Sequence, residues 1–566
     1  MRDFQTIQNT IYDLIIIGGG INGAGIARDG ALRGLKTLLI EKDDFASGTT
    51  SWSTRLIHGG LRYLEYLEFH LVRESLHERE VLLHTAPHLV QPLQMTIPLY
   101  KGAARGYWLI QAGMLLYDIL SFDKTVPSHR MLSASKFKNL FRTVRSPNLV
   151  GAAQYYDGQV EYAERLCLEN ILDAQAAGAT VLNYTAVTAL ERDEATNTIK
   201  AIAGRDQLTG ETFTVQASQS IVVNTSGPWV DEICHLGRAH NQPKPIGTEP
   251  KMGGTKGSHI VVDPFPGAPQ AALYVEAASD NRPYFIIPWL GKYLIGTTDL
   301  KYTGSLDQVK ADNDEIDYLL AETNRILPTA QLTRDDVKFT YSGVRPLPYV
   351  GDKNPGSITR SHILFDHSRE GVKNLISLIG GKLTTYRQVG EEMVDLVYRK
   401  LNRSAPPCPT RKQPLPGAMA ADSSLIETMI HHYSPTVERA SIQHLFRVYG
   451  AKAPAVLALV DEAPDLGDRL VPYLPDIKAQ AVYAVRFELA HTLKDICRRR
   501  TTLSMLANYG YDALPALVET LQTHCSWDKA KGDRQVAAYK SFIEQNCLPD
   551  YCIDAQSDLS KTEVYS

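Results

Sequence analysis

The chain has 566 residues, of which 44% are apolar and 22% charged, with a net charge of -4. That length exceeds one compact core and implies two or three units. The composition is that of an ordinary soluble globular protein, and the charge balance leaves no global basic field for nucleic acid. Seven cysteines, at 167, 234, 408, 497, 525, 547 and 552, form no C-x-x-C pair, so a metal site lacks its usual ligand spacing. Scattered thiols in so long a chain suit a reducing, cytosolic setting. The opening MRDFQTIQNT reads as neither a signal nor a transit peptide.

The first predicted unit is a βαβ over residues 12–41. Leu14 to Ile17 form a buried strand, Gly18, Gly20 and Gly23 a G-x-G-x-x-G turn, and Leu38 to Ile40 a second strand ending at Glu41. The glycines allow a tight turn, close backbone approach to a pyrophosphate and helix–strand packing, while the helix N-terminus favours the anion. Glu41 suits the ribose hydroxyls of an adenosine. The motif predicts an ADP-containing dinucleotide without distinguishing NAD from FAD.

A Ser/Thr run from Thr49 to Thr54 then leads through His58, Gly59 and Gly60 into a long helix predicted over Leu61 to His84. The run reads equally as a lining for a pyrophosphate and flavin ring or as a turn capping the helix. Tyr107 to Tyr117 is apolar but short of the ~20 residues that span a bilayer, and a buried helix is expected there; the alternative is a segment dipping into a membrane interface. Residues 180–226 alternate strands and turns, ending in Asn224-Thr-Ser-Gly227. Residues 256–300 are rich in strand formers and predict an antiparallel sheet layered on the nucleotide unit. Leu375 to Lys382 is a buried strand entering a Gly-Gly turn. Five prolines between Arg403 and Gly417 mark an extended linker. Helices follow, one carrying Val482, Val485, Leu489, Leu493 and Ile496 on one face and Arg498, Arg499 and Arg500 as a cationic C-terminal cap. Residues 547–566 are polar and expected to be loose.

Several ordered segments together are more specific than the glycine turn. Gly18 to Gly25 with Asn22, Leu56-Ile-His-Gly-Gly-Leu-Arg-Tyr-Leu-Glu65, Gly257-Ser-His-Ile-Val261, Tyr341-Ser-Gly-Val-Arg-Pro-Leu347 and Gly380-Gly-Lys-Leu-Thr-Thr-Tyr-Arg387 resemble FAD-dependent glycerol-3-phosphate dehydrogenases over about residues 12–390. The C-terminal helices resemble that family's extra domain more loosely. The resemblance implies a two-dinucleotide-binding-type FAD domain, an antiparallel-sheet substrate domain and a helical C-terminal domain, an α/β + α architecture. The corresponding division is an FAD and substrate unit over 1–402 (FAD parts near 1–100, 150–240 and 340–402; substrate parts near 100–150 and 241–339), a linker over 403–418, helices over 419–546 and a tail over 547–566. It further implies oxidation of glycerol 3-phosphate to dihydroxyacetone phosphate by hydride transfer to flavin N5. Quinone is the implied acceptor, and a homodimer on the inner face of the cell membrane the implied assembly. An oxygen-using oxidase and an RNA-modifying flavoprotein or binding scaffold are the alternatives.

Such chemistry needs fixed cations, a proton acceptor and positive charge near the flavin. Arg345, between a glycine and a proline, presents a planar fork suited to phosphate, with Arg62 as a second cation. Arg360 follows from the resemblance. His259, on a strand, is the expected base, with His58 behind it. Lys382 is expected to stabilise the flavin anion and orient the substrate oxygen. FAD contacts are expected from Gly18, Gly20, Asn22, Gly23, Glu41, Thr50, Ser51, His58, Gly59, Gly227, Gly381, Lys382, Leu383 and Thr384. Arg55 stands where the family often has Lys and is given no catalytic role.

Overall fold

The structure, a computed structural model, describes residues 2–239, 242–351, 358–419 and 423–552. Its first layer is a six-stranded sheet. In spatial order the strands are Ile363–Asp366, Leu375–Ile379, Ile221–Asn224, Leu14–Ile17, Thr37–Ile40 and Thr180–Leu182. Every neighbouring pair is parallel except the first. Leu14–Ile17 is buried along its whole length, as a strand covered on both faces must be. The helix Ile21–Leu32 packs against Ala163–Ala176 and Tyr386–Lys400.

A larger, mostly antiparallel sheet of ten strands forms the second layer. It holds Thr255–Val262, Ala272–Glu276, Pro283–Trp289, Lys292–Gly296 and Val337–Arg345, and it also takes Val90–Tyr100 and Leu149–Val160, whose long pairing runs from Val90 opposite Val160 to Tyr100 opposite Leu149. The expected boundaries near residues 100 and 150 leave both strands with the FAD parts, whereas they pair within this second sheet.

The helix predicted over Leu61 to His84 is two elements. Leu61–Tyr66 is a 3-10 turn and Phe69–Thr85 an α-helix. Leu67 between them sits at φ +59°, a left-handed conformation that stops a helix. The apolar helix spans Tyr107–Leu120 and buries only Ile110, Met114 and Tyr117. Trp108, Leu109, Leu115 and Ile119 are exposed on it, with Phe122 just beyond, so the buried helix expected there is instead a half-covered one.

The proline-rich stretch is strapped down. Leu415 N–H donates to Thr85 O (2.8 Å), Gly417 N–H to Glu169 (3.0 Å), and Arg28 bonds the carbonyls of Gln413 and Pro414. One apolar core runs from the nucleotide sheet into the C-terminal helices through Ile430, Phe446, Leu457 and Val482. The expected single helix ending in three arginines is broken. Lys478–Phe487 ends at Leu489 with φ +59°, and Leu493–Asp495 continues into a wider turn over Ile496–Arg500. Arg498, Arg499 and Arg500 are not a solvated cap; they are 2%, 5% and 3% exposed. Arg499 meets Asp44 at 2.5 Å and Asp495 at 2.6 Å, Arg500 meets Asp44 at 2.9 Å, and Arg498 meets Glu164 at 3.2 Å. Asp44 and Glu164 come from the nucleotide unit, so these pairs bind the C-terminal helices to it. Cys547 is buried with its carbonyl bonded by Thr340; residues 553–566 lie outside the described residues.

Candidate active site

The glycine turn is built for close approach. A Cβ at Gly18, where φ is +112°, would fall 2.7 Å from Thr225 O, and one at Gly23 only 2.0 Å from Gly18 O. Gly20 caps the helix Ile21–Leu32 with no side-chain hydrogen bond; Thr50 Oγ1 accepts from Ile21 N–H at 3.1 Å, so the Ser/Thr run does reach this helix terminus. Ser51 turns inward to Ala46 O. Glu41 accepts from Gly19 N–H (2.6 Å) and Asp43 N–H (2.9 Å), and a carboxylate keeps further lone pairs for a ribose. Burial raises its pKa.

A second glycine turn closes on the first. A Cβ at Gly381 would meet Asn22 Nδ2 at 2.9 Å, and Asn22 Oδ1 is buried with no partner. Thr384 Oγ1 accepts from His58 N–H at 3.1 Å, and Gly59 N–H donates to Tyr117 Oη at 3.0 Å. Leu383 is half-buried against the core. Gly227, at φ +61°, would meet nothing within 4 Å and so faces open space. Residues far apart in sequence thereby form one cradle with an unmet acceptor in it.

Beside the cradle lies a concentration of cations. Arg345 Nη1 bonds Asp299 Oδ1 at 3.1 Å, Arg360 Nη2 lies 3.3 Å and Arg282 Nη2 2.7 Å from Asp299 Oδ2. Arg345 also donates to Thr297 Oγ1 and Thr298 O. Burial, then repulsion from Arg360 and Arg282, pushes the Arg345 guanidinium down to about 9. The charge of Arg62 also acts on Arg345 and Arg360. Sequence reading missed Asp299 and Arg282. Their one trace is a charged pair in a strand-rich stretch, since Arg345 and Arg360 arrive from other segments.

Lys382 joins the cradle to this cluster. Its Nζ sits 4.7 Å over the Tyr63 ring, and burial lowers its pKa to about 7. His259 is 2% exposed, stacked on Tyr341 at 4.7 Å with Nε2 2.9 Å from Thr54 Oγ1; Nδ1 is buried without a partner. Burial, then the cations Arg345 and Arg55, hold it well below the usual histidine range. His58, lowered by burial, lies at the cradle. Arg55 is closed off, bidentate on Glu164 and over Trp289.

The sequence matches the family described as FAD dependent oxidoreductase over residues 13–387, and the C-terminal domain of alpha-glycerophosphate oxidase over 408–532. The chain belongs to the FAD-dependent oxidoreductase family. It is 69% identical to a glycerol-3-phosphate dehydrogenase of Synechocystis sp., covering 98% of this chain and 100% of that protein. It is 36% identical to the aerobic glycerol-3-phosphate dehydrogenase of Escherichia coli K12, over 88% and 95% of the two chains. The crystal structure of glycerol-3-phosphate dehydrogenase from Bacillus halodurans complexed with FAD superimposes with a TM-score of 0.75 at 29% identity, covering 96% of each chain. FAD is the cofactor of this family, and the cradle of Gly18, Gly23, Asn22 and Gly381 fits it: a glycine-lined helix terminus, a ribose-competent carboxylate and an orphaned buried acceptor.

Proposed function

We propose that this chain oxidises sn-glycerol 3-phosphate to dihydroxyacetone phosphate and passes the electrons to a quinone at a membrane surface. The charge balance at Asp299 carries the substrate: three guanidinium groups in direct contact with one carboxylate leave two positive charges over, the complement of a phosphate dianion. Arg345 and Arg360 supply planar forks for its oxygens, and Arg62 adds to their field. When bound, FAD supplies the two-electron acceptor. The substrate hydroxyl must also lose a proton, and two nitrogen bases stand beside the cluster: His259, held uncharged, and Lys382, available as free amine near neutrality.

The membrane reading is supported by the apolar helix. Trp108, Leu109, Leu115 and Ile119 are exposed along it, and Leu67 and Phe69 are exposed on the neighbouring elements it packs against. An apolar face of this kind lies in an interface plane, and no helix among the described residues is long and apolar enough to cross a membrane.

The direct test is anaerobic. Glycerol 3-phosphate should bleach the yellow FAD-loaded protein, and a soluble quinone should restore the colour faster than dioxygen does. An unbleached flavin defeats the reading, and stoichiometric peroxide without quinone reduction transfers it to the oxidase. In liposome flotation the full chain should rise with the vesicles, and a Leu115→Glu, Ile119→Glu double variant should stay behind, each lost side chain removing about 1.5–3 kcal/mol of apolar burial.

A further inference from the structure

Oxidation of a secondary alcohol frees one proton per turnover inside a largely closed site, and that proton needs a way out. Lys382 opens onto one. Its Nζ donates to Ser75 Oγ at 2.6 Å, on the helix Phe69–Thr85. The adjacent residue of that helix is Glu74, 9% exposed, whose Oε1 is buried with no hydrogen-bond partner. His362 Nδ1 stands 3.8 Å from that same oxygen, close enough for a small rotation of either side chain to make the bond. His362 Nε2 is 2.8 Å from Glu392 Oε2, and the Glu392 side chain is 41% exposed. The stretch that delivers His362 also delivers Arg360 to the phosphate cluster two residues earlier, and a Cβ at Gly380 would fall 2.8 Å from Ser361 O. The turn bearing Lys382 therefore packs directly on the segment bearing His362.

We infer that Lys382 takes the hydroxyl proton of the substrate and that Glu74, His362 and Glu392 conduct it to solvent, with Glu74 and His362 acting through Lys382 as positioning residues. The inference rests on the proposed oxidation of glycerol 3-phosphate. The substrate O–H bond breaks as its proton moves to the free amine of Lys382, the C–H electron pair leaves as hydride to the family's FAD, and the carbonyl forms. Glu74 is the first carboxylate whose charge acts on Lys382, and the resulting ammonium returns to amine by turning from Ser75 and giving its proton to that carboxylate. That proton enters His362 at Nδ1 while the Nε2 proton leaves to Glu392 and water, and the imidazole regains its starting tautomer by exchange with solvent before the next cycle.

The charges facing Lys382, Glu74 and His362 agree with this direction, while the transfer to Glu392 runs uphill and is completed by release to water. Burial lowers Lys382 to about 7 against the pull of Glu74 and Glu68, with Arg360 pushing the same way as burial. Burial raises Glu74, opposed by His362, Lys382 and His70, with Glu392 adding to the rise. At His362 burial works against the cation, but the hydrogen bond to Glu392 and the charges of Glu392 and Glu74 outweigh it and raise its pKa, with Lys382 opposing. Glu392 is lowered chiefly by its bond to His362, and His70 and Gln388 also face it. His259, the base expected from sequence, lacks such a path. It ends on Thr54, and its charged neighbours Arg345 and Arg55 both oppose its protonation.

The experiment uses the full FAD-loaded chain with glycerol 3-phosphate and a soluble quinone in steady-state turnover across pH, where Lys382 must reset in every cycle. Glu74→Gln and His362→Asn should each slow the limiting rate at least about tenfold at unchanged substrate affinity, less than the 10²–10⁴ expected for loss of the base itself. Glu74→Asp should recover most of the rate, and added imidazole should partly restore His362→Asn. A readout independent of turnover is the titration of Lys382, followed by NMR of the ¹³C-dimethylated lysine in substrate-free protein. Removing the Glu74 charge should move it below its wild-type value, which a merely structural role would not do. Where Glu74→Gln fails to fold, His362→Asn reads the same path. Wild-type rates in both variants, or lost affinity at an unchanged limiting rate, overturn the proton path while leaving the proposed oxidation standing. Absence of any flavin reduction in the wild type is the separate failure of that oxidation.

Discussion

Around Asp299, three guanidinium groups share one carboxylate; where the C-terminal helices meet the nucleotide sheet, four arginines, Arg55, Arg498, Arg499 and Arg500, share four carboxylates, Glu164, Asp44, Asp495 and Glu488. The interdomain group is buried throughout, the guanidiniums around the buried Asp299 only partly, and the larger difference is charge balance. In the interdomain cluster, neighbouring carboxylates raise Arg55, Arg499 and Arg500 against the cost of burial. At Asp299, burial and like charge bring Arg345 down to about 9. Arg498 is the exception within the balanced set, lowered to about 10 by burial and by Arg55, with which it shares Glu164; it lies 4.6 Å over Trp52. Matched cations hold domains together. Under the proposed function, unmatched ones store repulsion that an incoming dianion would relieve, so the same residue type would serve fold in one place and substrate in the other.

The comparison breaks most sharply at Asp44. It is wholly buried, and although burial opposes ionisation, Arg500 and Arg499 hold its carboxyl well below the usual range. A carboxylate depressed on folding contributes stability that is present above its unfolded pKa, about 3.9, and is lost as pH falls through the folded value. Asp44→Asn should cost about 3–5 kcal/mol in denaturant unfolding, because two buried cations lose their counter-charge. An unchanged midpoint would mean that the cluster does not hold the domains. Arg345→Gln should behave in the opposite way. Substrate affinity should fall by about 2–5 kcal/mol as a buried phosphate loses its fork, yet the thermal midpoint of the substrate-free protein should rise. A cation whose pKa falls on folding destabilises the fold wherever it is charged. A midpoint that drops as for Asp44→Asn would place Arg345 among the structural arginines.

How far the sequence foretold this contrast depends on where the partners lie. The βαβ unit and the Gly-Gly-Lys turn were legible because glycines, buried strand and functional side chain lie within a few residues of one another. Arg345 stood out for its setting between glycine and proline, and the structure brings it to Asp299. Asp299 and Arg282 were not, since their meaning comes from guanidiniums brought over by other segments. Arg498 to Arg500 misled for the same reason: a run of cations reads as solvated until carboxylates from positions 44 and 164 are folded onto it. The apolar helix showed a second limit. Its composition was plain, but periodicity does not say which faces a neighbour will cover, and only Ile110, Met114 and Tyr117 are covered.

Arg79 is an intermediate case. It pairs with Asp157 at 2.9 Å, Glu80 adds to the field, and its Nε and Nη2 are buried without partners. Tyr117 completes the site from the apolar helix: its hydroxyl donates to Asp157 at 2.7 Å and accepts Gly59 N–H at 3.0 Å, beside the cofactor cradle. Tyr117→Phe should cost about 1 kcal/mol, the net worth of one hydrogen bond, because Asp157 keeps Arg79 and Gly59 keeps its 3.3 Å contact to Asp157. Thermal unfolding should show that small loss, and reconstitution of the flavin-free protein should show weaker FAD binding, since the Gly59 amide is set by the bond removed. A loss as large as that of Asp44→Asn would mean that Tyr117, not Asp157, keeps Arg79 charged in the core; an unaltered FAD affinity would detach the apolar helix from the cofactor site.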